Sequence, residues 1–179
     1  MTYQTGTEKR TGKSPTRHWR PFMEVIGRGK PSYMIRFHLT PFGWWKWRRL
    51  YLHILGRPDA DREFHDHPWS FWTIILFGGY TETSHVMEKR EDGHDGVRPS
   101  GEYVVDRIGW MGVRYRPATH AHLITKLHTR RVVTLVLRDN AKARDWGFWK
   151  FDDYNETDPA RFWRWIPWRQ YHAPEGFEG

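Results

Sequence analysis

The chain has 179 residues, a net charge of +8 and no cysteine, which excludes disulfides, thiolate metal ligands and a cysteine nucleophile. Any bound transition metal must therefore rely on imidazole and oxygen ligands. Nowhere do about 18 apolar residues run together, and residues 1–30 lack the apolar stretch of a signal peptide, so a soluble cytoplasmic protein without membrane contact is expected.

Residues 1–20 carry Lys9, Arg10, Lys13, Arg17 and Arg20 against Glu8, a net +4 that is half of the total charge. Such a basic tail, poor in apolar anchors, reads as disordered. Residues 21–145 read as one β domain. Runs rich in Val, Ile, Tyr, Trp and Phe predict strands at 32–39, 44–55, 71–77, 80–87, 102–107, 112–116 and 131–138. The 12 Trp, 8 Tyr and 10 Phe favour thick side-chain layers in such a core.

Phe77-Gly78-Gly79-Tyr80 reads as a two-residue hairpin, because paired glycines accept type I′ angles. Counting outward sets Ile75 opposite Glu82, Thr73 opposite Ser84 and Trp72 opposite His85. The charged stretch 87–101 reads as an exposed loop, with His94 in solvent. Residues 146–179 hold Trp146-Gly147-Phe148-Trp149 and Phe162-Trp163-Arg164-Trp165-Ile166-Pro167-Trp168, an aromatic extension expected to pack along the outside of the barrel. Asp158 and Pro159 are suited to open a short helix through Phe162.

Two histidine pairs carry the chemistry: His65-Asp66-His67-Pro68 and His120-Ala121-His122. A strand sends residues i and i+2 to one face, so each pair can aim two imidazoles into a shared space. Asp59, Asp61 and Asp66 are placed either to orient those rings through their second N–H or to form turns. His53 and His128 read as ordinary strand or turn residues. No phosphate-binding Gly loop, serine nucleophile elbow or H-E-x-x-H is present.

This pattern resembles the cupin superfamily, a double-stranded β-helix or jelly-roll barrel. The family's first motif is His-x-His followed by a Glu and then a Gly, matched here by His65, His67 and Gly78-Gly79. Its second ends Pro-x-Gly-x-x-His, matched by Pro117, Thr119 in place of Gly, and His122. The resemblance spans roughly 51–138. Phe71 or Trp72 stands where the family keeps its Glu. The resemblance implies His65, His67 and His122 as metal ligands, with His120 as a rival, a set similar to the three imidazoles that hold iron in thiol dioxygenases. Zinc, manganese or nickel are the alternative metals. For the missing carboxylate the hairpin count ranks His85 slightly above Glu82, which stays open as a substrate-orienting group or general base.

The stretch 52–69, Gly78-Gly79-Tyr80-Thr81-Glu82 and Trp146 to Trp149 also resemble small cupin-like bacteriophage proteins, which implies a host-cytoplasmic location for a phage-encoded chain. Arg130 and Arg131 follow His122 much as the cosubstrate-binding Arg does in two-oxoglutarate oxygenases. Those enzymes need His-x-Asp or His-x-Glu, and here Asp66 directly follows His65. The expected function is a metal-dependent oxygenase or isomerase acting on a small molecule within the barrel, with a homodimer compatible. The alternatives are a non-catalytic protein contacting nucleic acid through its tail and its Trp/Arg arm (Arg161, Arg164 and Arg169 among Trp163, Trp165 and Trp168), or a structural phage protein with a vestigial site.

Overall fold

The computed structural model describes residues 18–20, 22–27, 31–40, 48–61, 63–140, 142–151 and 163–171. Among these the strands are β1 (His18–Arg20), β2 (Met23–Ile26), β3 (Met34–His38), β4 (Arg48–Leu55), β5 (Phe64–His65), β6 (Phe71–Phe77), β7 (Tyr80–His94), β8 (Val97–Ile108), β9 (Val113–Arg116), β10 (His122–Leu127), β11 (Val132–Asp139), β12 (Gly147–Phe151) and β13 (Trp163–Pro167). One short helix, α1 (Trp168–Tyr171), follows them. The all-β expectation holds for these residues, and none of their helices is long and apolar enough to cross a membrane.

The strands make two antiparallel sheets, ordered β1-β2-β3-β4-β11-β6-β9 and β13-β12-β5-β10-β7-β8. From β4 to β12 the chain changes sheet at every connection except the β7–β8 hairpin, which builds a nearly closed barrel-like enclosure. Along β11 burial alternates, with Val132, Thr134, Val136 and Arg138 turned inward. Register extends this into rungs. Met34, Leu55 and Val132 lie side by side, then Arg36, His53 and Thr134, then His38, Tyr51, Val136 and Thr73, then Arg138, Phe71 and Arg116. The apolar rung joins Ile75, Tyr80, Ile108 and Ile124 as a packed plug. The rungs beyond it mix Arg, His and Thr with Tyr51, Val136 and Phe71, and together with the top of the plug they line a cavity.

Three expectations are corrected. Gly78-Gly79 does not close a hairpin: Phe77 pairs with Val133 in one sheet and Tyr80 with Leu127 and Ile108 in the other. The glycines form a corner between sheets, with Gly78 at φ +75° and a Cβ there pressed against Thr129 and Val132. The stretch 87–101 is not a loop, since β7 and β8 continue through it to a tip at Asp95-Gly96. Along this ribbon exposed positions such as Lys89 and Glu91 stand beside buried ones such as Arg98, so its charged residues are strand residues with one packed side.

The third correction concerns the aromatic extension, which is part of the sheet. β12 lies between β5 and β13, and Gly147 leaves room where a Cβ would overlap the Trp165 indole. At the other end His18–Arg20 pairs with β2, so the tail reading shortens. Residues 1–17 and the helix expected at 158–162 lie outside the described residues.

Candidate metal centre

Phe148, His65, His122 and Ser84 are in register across β12, β5, β10 and β7, so their side chains share the inner face of that sheet. β5 ends at His65, and His67 reaches the same space from the segment beyond it. The three rings form a near-equilateral triangle with centroid separations of 5.2, 5.0 and 5.2 Å. Nε2 of His67 and Nε2 of His122 are 3.0 Å apart, and one nitrogen from each of the three rings falls within 4.8 Å of the others. Two nitrogens held by one ion at about 2.1 Å would lie about 3.0–3.4 Å apart, from right-angled to tetrahedral arrangements.

The electrostatics agree with a metal-ligating role. Burial pushes His67 well below the ordinary imidazole range, and His65, His122, Arg36 and His120 push it further. Burial pushes His122 down to about 4, against the opposing pull of Glu82. Both rings are therefore neutral at pH 7, the form that offers a lone pair. Nδ1 of His65 is buried without a hydrogen-bond partner among the described residues. A buried nitrogen of this kind, beside two neutral imidazoles, fits a divalent first-row ion.

Behind His122 stands Glu82, 5% exposed on β7. Its Oε2 lies 3.0 Å from His122 Nδ1, and its Oε1 is 3.1 Å from His120 Nε2. Arg116 donates from Nε at 3.0 and 3.1 Å and from Nη2 at 2.5 Å to the same carboxylate, and from Nη2 at 3.1 Å to the Tyr80 hydroxyl. Burial works to raise the Glu82 carboxyl, but His122, the His120 and His122 contacts and Arg116 together hold it well below the carboxylate range. Arg116 sets a permanent positive charge against the Glu82 carboxylate. The result is a carboxylate–imidazole pair that turns His122 Nε2 toward His65 and His67. Glu82, His120 and His122 also form a second group of donor atoms within 4.8 Å.

The other residues expected at the site divide sharply. His85 is corrected to the opposite face of the sheet, where its ring packs 4.1 Å from Phe64 and 4.4 Å from Trp163, with Nδ1 3.3 Å from the Glu102 carbonyl. His120 meets Glu82 and stands behind the triad. Asp59 accepts the Ile124 amide at 2.6 Å. Asp66 does not orient an imidazole: it accepts Gly147 N–H at 3.1 Å, Trp149 Nε1 at 3.2 Å and Trp165 Nε1 at 3.0 Å, with Arg144 Nη2 3.2 Å away. His94 is not free in solvent but stacks on Trp165 at 3.6 Å. Trp163 and Trp168 are likewise engaged, with His85 and Trp146.

A cavity of about 110 Å³ lies against the triad, its wall including Arg36, His53, His65, His67, Arg116 and His122. Arg36 Nε donates to His53 Nε2 at 3.0 Å, which requires a neutral ring there. Burial, then Arg36 and His38, push His53 well below its ordinary value of 6.5. The folded state thus binds fewer protons at His53 than the unfolded chain. Stability from this residue is complete above pH 6.5 and is lost as pH falls below it. In urea titrations with chelator between pH 7.5 and 5, the unmutated protein should lose stability more steeply than His53→Gln, the difference approaching about 1.4 kcal/mol per pH unit. Equal slopes would remove His53 from the account.

No protein-family model matches the sequence, and no curated protein matches it. In structure the chain is similar to the iron(II) form of HppE, at 10% identity over 68% of this chain and 56% of that one, with a TM-score of 0.48. It is similar to the DMSP lyase DddQ from Ruegeria pomeroyi DSS-3, at 18% identity over 74% of this chain and 59% of that one, TM-score 0.44. A third likeness is to the oxalate decarboxylase of Lactobacillus farciminis in complex with formate, at 13% identity over 70% of this chain and 30% of that one, TM-score 0.43. This chain thus spans about half of the first two and under a third of the third. With TM-scores below 0.5, these likenesses assign nothing to the site, whose case stands on its own residues.

Proposed function

We propose that this is a cupin-like metal protein that holds one divalent ion, iron first among the candidates, on His65, His67 and His122, and acts on a small molecule in the cavity beside them. The observation that carries the reading is the convergence of three imidazoles on one point, His65 and His122 buried and His67 half-buried, with the second nitrogen of His122 set against the Arg116-bound Glu82. Three neutral ligands leave an ion its full charge and open positions, which suits oxygenation or isomerisation of a bound substrate. In this reading Glu82 is a positioning residue, since its oxygens are taken by Arg116, His120 and His122. The reaction class comes from the motif resemblance and from the imidazole set.

Elemental analysis of protein purified without a histidine tag tests this directly. After reconstitution the unmutated protein should hold about one equivalent of a transition metal, and His65→Ala, His67→Ala together should remove nearly all of it. Less than about 0.1 equivalent in the unmutated protein under the same treatment would sink the reading.

A further inference from the structure

We infer that the plugged end of the barrel is a binding surface for single-stranded nucleic acid, separate from the three imidazoles. Three connections meet there: Phe77-Gly78-Gly79 between β6 and β7, residues 109–112 between β8 and β9, and residues 128–131 between β10 and β11. A Cβ on Gly79 would press on Gly109 and His128, and one on Gly78 on Thr129 and Arg131, so the three apices adjoin. Behind them Ile75, Tyr80, Ile108, Ile124 and Val132 pack as the plug, which divides this end from the cavity.

The apices present rings and cations together. Trp110 is 74% exposed and Phe77 57%. The turn that carries Trp110 is braced, since Met111 donates its amide to the Ile75 carbonyl at 2.8 Å and Gly112 donates to the Gly109 carbonyl at 3.0 Å. A ring held out in this way loses little freedom when a base stacks on it. Exposed Arg107, Lys126 and Arg130 stand among the rings, with Arg131 half-buried. Register puts Lys126 and Arg107 on either side of Thr81, on the outer face of the sheet and about 10 Å apart. Residues 76–81, 107–114 and 125–132 contain no Asp or Glu, and the adjoining Asp106 is held by Arg114 at 2.7 Å. The surface therefore favours a polyanion. Arg130 sits at the apex of its connection as Trp110 does at its own. A lipid surface would have to take in that guanidinium with the rings, at a high desolvation cost, whereas a single strand offers phosphates and bases at the same depth. The aromatic extension is less suited, because Trp163 and Trp165 are packed on His85 and His94.

Fluorescence anisotropy of a labelled oligothymidine of about 12 nucleotides, titrated with the full chain, tests this. Phosphate contacts from Arg107, Lys126, Arg130 and Arg131 should weaken binding by about 50-fold between about 50 and 200 mM salt, with no change on adding chelator. Trp110→Ala alters an exposed side chain, so Tm should hold while binding weakens by about 5–150-fold. Lys126→Ala with Arg130→Ala should flatten the logarithmic salt slope by about 1.4. An oligouridine of the same length separates DNA from RNA, and binding of either through these residues supports the inference. The inference falls if neither oligomer binds at low salt, or if both surface variants bind like the unmutated protein and only alanines at Lys9, Arg10, Lys13 and Arg17 abolish binding. It falls equally if vesicles rich in phosphatidylserine shift the tryptophan emission while the oligomers leave it unchanged, which would make the surface a membrane contact. None of these outcomes bears on metal uptake, so the metal reading stands or falls separately.

Discussion

Replacing Glu82 by Ala should lower the stability of the metal-free protein by about 3–5 kcal/mol, and Glu82→Gln should lower its affinity for a divalent metal by about 10–100-fold. The two substitutions read different properties of one residue. Alanine strips Arg116, 2% exposed, of its carboxylate, and a buried guanidinium left without its counter-ion is among the costliest changes available to a protein. Glutamine keeps the shape and one acceptor but loses the charge that sets the His122 ring. His122 can then turn, and the lone pair of Nε2 is no longer held beside His67 Nε2. Urea unfolding in chelator measures the first effect, and competition with a chromophoric chelator measures the second. Metal affinity unchanged in Glu82→Gln would show that the carboxylate does not position His122.

Glu82 also marks where the sequence was legible and where it was not. The two His-x-His segments and the Pro117 spacing single out His65, His67 and His122, since those signals are local and need no long-range pairing. Locating the missing carboxylate required knowing which strand lies across from which. A Gly-Gly step serves a hairpin and an inter-sheet corner equally well, and the choice between them decides whether Glu82 or His85 faces the imidazoles. The corner puts Glu82 inside and turns His85 onto Phe64 and Trp163.

Arg116 was illegible for a related reason. In Val113-Arg114-Tyr115-Arg116 two arginines share a face, and only the tertiary structure shows that Arg114 meets the half-exposed Asp106 while Arg116 enters the cavity. Strands β6, β9 and β11 were readable because β-branched and aromatic runs bounded by turn residues mark strands wherever they pair. β5 was not, since it contributes only Phe64 and His65. Nor was β12 read as a strand within the sheet, because an aromatic run fits an outer layer as well as a sheet.

Asp66 carries the second large effect. Asp66→Ala should destabilise the protein by about 3–5 kcal/mol, although its side chain offers nothing to the three-imidazole set. The carboxylate is fully buried on the outer face of the sheet and ties together β12, β13 and Arg144. Without it the Gly147 amide and two indole N–H groups lose their acceptor, at about 1–3 kcal/mol for each donor that water cannot reach, and the buried Arg144 keeps only the half-exposed Asp95, 3.3 Å away. Burial pushes the Asp66 carboxyl up to about 6, while Arg144, Trp165, Gly147 and Trp149 pull it back. Because Asp66 sits between His65 and His67, releasing β12 also loosens Phe148, the in-register neighbour of His65. The near-ultraviolet signal of Trp149 and Trp165 should therefore fall together with metal affinity, whereas Asp66→Asn, which keeps one acceptor oxygen, should fall between Ala and the unmutated protein in both. If Asp66→Ala unfolds within about 1 kcal/mol of the unmutated protein, the β12–β13 segment is not anchored through Asp66, and the metal site does not depend on that carboxylate.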